Sequence, residues 1–133
     1  MSTQNNTKQI LIVDDDHLLR NFFSKVISAE GYHAVVACDG DDAISQLDSN
    51  KDFCLFIVDL LLPVRSGWEV IEYIKSNEKF RRIPIIALTG LADSFDEISK
   101  VKESCDAVLH KGNFELTDFL ALINSLVKKP TSM

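Results

Sequence analysis

The chain has 133 residues, of which 46% are hydrophobic and 26% charged, enough for one globular domain and too few for two comfortable cores. Its net charge of −6, without clustered Lys or Arg, disfavours direct binding to nucleic acid. The three cysteines, Cys38, Cys54 and Cys105, form no CxxC pair, which argues against a disulfide framework or a zinc site and for a reducing, cytoplasmic compartment.

Residues 1–8 are polar and read as a disordered tail without a secretory h-region. No apolar run reaches transmembrane length, so no membrane association is expected. Residues 10–13, ILIV, form a short buried strand that stops at Asp14, Asp15 and Asp16. The following helix places Leu19, Phe22, Phe23, Val26 and Ile27 on one inward face. Asp16 is its expected N-cap, and Gly31 ends it. Residues 33–37, HAVVA, are a second strand. Asp39 and Gly40 turn the chain into a helix carrying Ala43, Ile44 and Leu47. Residues 53–59, FCLFIVD, are an apolar run closed by one carboxylate, Asp59. Pro63 and Gly67 mark a loop, and a helix over 66–77 turns Val70, Ile71 and Ile74 inward.

Residues 83–88 predict a fourth strand with Pro84 at its start, ending at Thr89 and Gly90. The segment 92–104 is weakly amphipathic through Phe95, Ile98 and Val101, and reads as a helix. A short strand over 107–109 ends at His110, Lys111 and Gly112. The last helix carries Leu116, Phe119, Leu120, Ile123, Leu126 and Val127. Lys128 and Lys129 suit its dipole, and Pro130 stops it. The domain therefore spans 9–128, with 129–133 a terminal tail.

Five strands alternating with five helices predict an α/β fold. Right-handed crossovers leave few topologies. The flavodoxin-like three-layer sandwich, with a parallel sheet of order 2-1-3-4-5, sets strands one and three side by side at the switch point. The carboxyl ends of the strands then bring Asp14, Asp15, Asp16, Asp59, Thr89 and Lys111 to one crevice. Taken singly, a run of acids is usually a solvated turn, a threonine before a helix a cap, and a lysine plain surface. Taken together, clustered carboxylates, a hydroxyl and an ammonium are the parts that handle a phosphoryl group. Crowded carboxylates repel, and a hard divalent ion such as Mg2+ removes that conflict. The ion screens a carboxylate attacking phosphorus, while Thr89 and Lys111 neutralise the equatorial oxygens.

The stretches ILIVDDD, IVDLLLP with SG, IIALTG and VLHK, in that order, resemble the receiver domain of two-component response regulators. The resemblance runs from about residue 9 to 127. It implies that Asp59 is the phosphoacceptor, in a chain that catalyses only its own phosphorylation and dephosphorylation. It implies that Asp15, Asp59 and the Leu61 backbone carbonyl ligate Mg2+, and that Asp14 acts through water. It implies that Thr89 and Lys111 bind phosphoryl oxygens. It implies a histidine kinase or phosphotransfer domain that supplies the phosphoryl group and docks near the first helix, where Leu18 is a candidate exposed contact. It also implies output to an unknown downstream protein, by contacts on the face of helix four, strand five and helix five.

Four features depart from the family pattern. Gly112 replaces the usual proline after the strand-five lysine, which points to a trans bond in a looser loop. Val108 replaces a swinging aromatic. Leu61 and Leu91 stand where side chains tune hydrolysis, which implies slow autodephosphorylation. Nothing after 128 reads as an output domain, so a stand-alone signalling module and a domain of a larger regulator or hybrid kinase both stay open. His17 and His110 read as bystanders, and Trp68 as a packing residue. The alternatives are a pseudo-receiver docking module and a haloacid-dehalogenase-type phosphatase using Asp14 and Asp16. A flavodoxin-type FMN site lacks its phosphate-cradling loop.

Overall fold

The computed structural model describes residues 8–49, 52–90 and 95–127. The strands are β1 (Gln9–Val13), β2 (His33–Ala37), β3 (Phe53–Asp59), β4 (Ile85–Thr89) and β5 (Ala107–His110). The helices are α1 (His17–Ala29), α2 (Gly40–Asp48), α3 (Gly67–Lys75), α4 (Phe95–Ser104) and α5 (Leu116–Val127). All strand pairs are parallel, in the expected order β2-β1-β3-β4-β5.

Period-two alternation divides the strand side chains between two cores. Leu11, Val13, Phe56, Val58, Ile85 and Ala87 pack with Ala43, Leu47, Val70, Ile74 and Val101 of α2, α3 and α4. Ile10, Ile12, Leu55, Ile57, Ile86 and Leu88 pack with Phe23, Ile27, Phe119 and Ile123 of α1 and α5. Both faces of the central strands are covered, which is why they read as continuous apolar runs rather than alternating ones.

Several elements are shorter or differently packed than expected. The fourth strand starts at Ile85, not Ile83. Pro84 has no N–H for the ladder, though its carbonyl accepts from Phe56 N at 3.1 Å, and Ile83 N turns back to Phe80 O at 3.0 Å. Ser66 lies outside α3 as its N-cap, in a capping box with Glu69. Phe22, expected to face inward, is 40% exposed and leans on Phe114 of the β5–α5 loop, ring centroids 6.3 Å apart. Leu116 is 45% exposed at the start of α5. The expected beginning of helix four at 92, Leu91 and Lys128 to Pro130 lie outside the described residues, as do the side chains of Phe95 and Ile98.

Other local readings hold. Asp16 caps α1, accepting from Leu18 N and Leu19 N. Gly31 follows the helix at φ 95°, a conformation an L side chain resists. Trp68 is half-buried against the α2–α3–α4 core. Among the described residues no peptide bond is cis, and no helix is long and apolar enough to cross a membrane.

Candidate functional site

The site forms where β1 and β3 stop side by side. β1 runs into Asp14, whose N–H extends the pairing to Ala37 O at 3.1 Å. The Asp14 side chain is fully buried. Its Oδ1 accepts from Asp16 N at 3.0 Å and Lys111 Nζ at 3.3 Å. Among the described residues its buried Oδ2 has no hydrogen-bond partner. A buried, unpaired carboxylate oxygen is costly unless a cation satisfies it.

Asp59 ends β3 and is 1% exposed. Oδ1 accepts from Leu61 N at 3.1 Å, and Oδ2 from Lys111 Nζ at 2.9 Å. The loop after it folds back tightly, with Gly67 N donating to Leu60 O at 3.1 Å. A Cβ at Gly67 would lie 2.1 Å from the Asp59 carbonyl oxygen, so only glycine lets α3 start this close. Val64 in the same loop has φ 68°, strained for a β-branched residue, and is 76% exposed. Asp15, Asp59, Leu61, Leu62, Pro63, Gly90 and Lys111 line a cleft of about 360 Å³.

Burial raises the Asp59 carboxyl to about 6. The Lys111 and Leu61 hydrogen bonds oppose that rise and the Asp14 charge adds to it. The ionised form still predominates at neutral pH. Burial pulls the Lys111 ammonium down, but the bond to Asp59 and the charges of Asp59 and Asp14 outweigh it, and the net is upward. Lys111 is therefore a cation bridging two buried carboxylates.

Ligand atoms of Asp14, Asp15 and Asp59 lie within 4.8 Å of one another. The donors are all oxygen, one is orphaned, and Asp15 is exposed to the cleft. This set fits a hard divalent cation.

The sequence pattern of the response regulator receiver domain matches residues 10–124. The chain belongs to that family. It is 34% identical over 105 residues to the polar-differentiation response regulator DivK of Brucella ovis, covering 79% of this chain and 85% of that one. DivK of Brucella anthropi is 32% identical over 104 residues, covering 78% and 84%. Among solved structures, a CheY-like receiver domain protein from Methanospirillum hungatei superposes with TM-score 0.81 at 25% identity, covering 93% of this chain and 96% of that one. The receiver domain of a sensor histidine kinase from Pseudomonas aeruginosa, solved with magnesium in its active-site cleft, gives TM-score 0.81 at 24% identity over 92% and 99%.

In this receiver domain Asp14, Asp15, Asp59 and Lys111 converge as expected. Asp16 does not join them, because its carboxylate is committed to the α1 cap; this leaves the phosphatase reading without its second acid. Thr89 is fully buried at the end of β4, and its Oγ1 lies 3.1 Å from His110 Nδ1. His110, read as a bystander, is therefore in direct contact with a site residue. The signal for it lay in the parallel pairing, which sets Thr89 beside His110. His17 meets its helix neighbour Asn21, Nε2 to Nδ2 at 3.3 Å.

Proposed function

We propose that this chain accepts a phosphoryl group on Asp59 from a histidine kinase or phosphotransfer domain, with Mg2+, and signals through protein contacts. The observation that carries the reading is the Asp59 carboxylate, buried at a strand end and held by Lys111, beside the orphaned Asp14 Oδ2. Asp15, Asp59 and the Leu61 carbonyl would hold the ion, with Asp14 acting through water. When bound, the ion screens the charge between carboxylate and phosphoryl oxygens.

The chain's own residues do the rest. Burial keeps water from Asp59 and makes it a poorly solvated, reactive carboxylate. Lys111, already 2.9 Å from Oδ2, neutralises a phosphoryl oxygen without a large reorganisation. The Leu61 N–H orients Oδ1. Thr89 supplies a hydroxyl donor from β4. Donor docking falls to exposed apolar residues, Leu18 and Phe22 on α1 and Leu61 and Val64 on the β3–α3 loop, of which Leu61 lines the cleft. Leu61, 71% exposed at the cleft, offers an attacking water no hydrogen bond, so the aspartyl phosphate is long-lived.

Intact-protein mass spectrometry after incubation with Mg2+ and a small acyl phosphate tests this. One phosphoryl group adds to the wild type, and none adds without Mg2+ or in Asp59→Asn. Labelling that persists in Asp59→Asn refutes the assignment. A phosphoryl half-life of seconds without a phosphatase refutes the role of Leu61.

A further inference from the structure

We infer that His110 is a positioning residue for Thr89: in the phosphoryl-free chain its ring holds the Thr89 hydroxyl toward β5, and capture of a phosphoryl oxygen by Thr89 releases the ring. The inference rests on the phosphoacceptor reading above and extends it to the readout.

The contact is built into the sheet. β4 and β5 pair Thr89 with His110, and Lys111 N donates to Thr89 O at 2.9 Å. Both side chains project from the same sheet face, where Oγ1 and Nδ1 meet at 3.1 Å. Thr89 is fully buried, while His110 is exposed at the strand end. The ring thus links an enclosed hydroxyl to the surface.

Proton counting makes the contact exclusive when the His110 ring carries its proton on Nε2. A threonine hydroxyl has one proton to donate. His110 in the Nε2-protonated form accepts that proton's bond at Nδ1, and Thr89 cannot then donate to a phosphoryl oxygen. Among the described residues the bonds on the Asp59 carboxylate come from Lys111 and Leu61, so Thr89 is not yet engaged there. A phosphoryl oxygen carries charge, and a bond to a charged acceptor is roughly twice as strong as a neutral one. The hydroxyl therefore changes partner, and the imidazole is left free beside the face covered by α4. Val108, two residues earlier on that face, packs against the α2–α3–α4 core and has little rotameric freedom of its own. His110 is the side chain on β5 able to report the event.

The test is long-range 1H–15N NMR of the histidine rings in the full chain, with intact mass read on the same sample. Three histidines, His17, His33 and His110, keep the assignment simple. In the unphosphorylated chain, Thr89→Val shifts the His110 Nδ1 signal. Phosphorylation with Mg2+ and acyl phosphate shifts it in the wild type, and the same treatment leaves it unmoved in Asp59→Asn. Phosphorylation also moves backbone amide signals of α4 in the wild type and in His110→Asn, whose amide oxygen can accept in place of Nδ1. In His110→Ala those movements are lost although the mass gain is kept. Full mass gain with an unmoved ring, an Nδ1 signal indifferent to Thr89→Val, or unchanged α4 responses in His110→Ala each overturn the inference alone. Absence of any mass gain overturns the phosphoacceptor reading, and the inference falls with it.

Discussion

Asparagine at position 59 keeps the shape of the side chain and removes its charge. Burial, reinforced by Asp14 and opposed by the Lys111 and Leu61 hydrogen bonds, raises the Asp59 carboxyl from 3.8 to about 6. Between those values the folded chain binds more protons than the unfolded one. Stability contributed by this carboxyl is therefore present below about 3.8, lost as pH rises to about 6, and absent above it. At about 1.4 kcal/mol per pH unit, the loss is about 3 kcal/mol. The Lys111 bond is already contained in that net figure. Asp59→Asn escapes the loss. Without Mg2+ at about pH 7.5 it resists urea better than the wild type by up to about 3 kcal/mol, and at about pH 3.5 the two converge. Comparing the two proteins at both pH values cancels the other carboxylates. Saturating Mg2+ narrows or reverses the gap, because an ion at about 100 times its Kd adds about 2.7 kcal/mol to the chain that binds it. Equal stability of the two proteins at neutral pH, or a less stable Asp59→Asn, refutes the electrostatic account of the cleft.

Gly67→Ala forces a methyl against the Asp59 carbonyl and Leu60 Cα, at 2.1 and 2.6 Å, so the loop must shift. Overpacking of this kind costs roughly 1–3 kcal/mol in urea unfolding and slows phosphoryl uptake, since it moves the acceptor itself. Val64→Asn relieves a left-handed β-branched residue and raises stability by about 1 kcal/mol, while removal of the exposed apolar side chain weakens donor docking; thermal melts and transfer rates separate the two effects. Lys111→Met removes the cation between Asp14 and Asp59, so the Asp59 titration followed by carboxyl NMR moves above about 6, and phosphoryl labelling falls by at least about tenfold.

The parallel sheet was legible because buried parallel strands are apolar on both faces and end abruptly in charge, while its order came from likeness to the flavodoxin-like doubly wound fold. Runs such as ILIV and FCLFIV, each closed by aspartate, have no other stable place in a chain of this length. The convergence of Asp14, Asp15, Asp59 and Lys111 followed from that order, since parallel strands put all their carboxyl ends on one edge. Which side chain touches which was not legible. Phe22 fits the inward stripe of α1 by periodicity, yet it sits at the rim of the helix face, half-covered by Phe114 from the far end of the chain. Asp16 was legible as the α1 cap, but only the turn into α1 shows that Asp14, alike in a run of acids, is the one fully buried at the strand end. The contact of His110 with Thr89 depends on strand register, which sequence pattern constrains only to the correct face. Local composition thus determined the elements and the edge where chemistry gathers. Tertiary packing decided the partners, because hydrogen-bond distance is set by how strands and helices meet and not by their order along the chain.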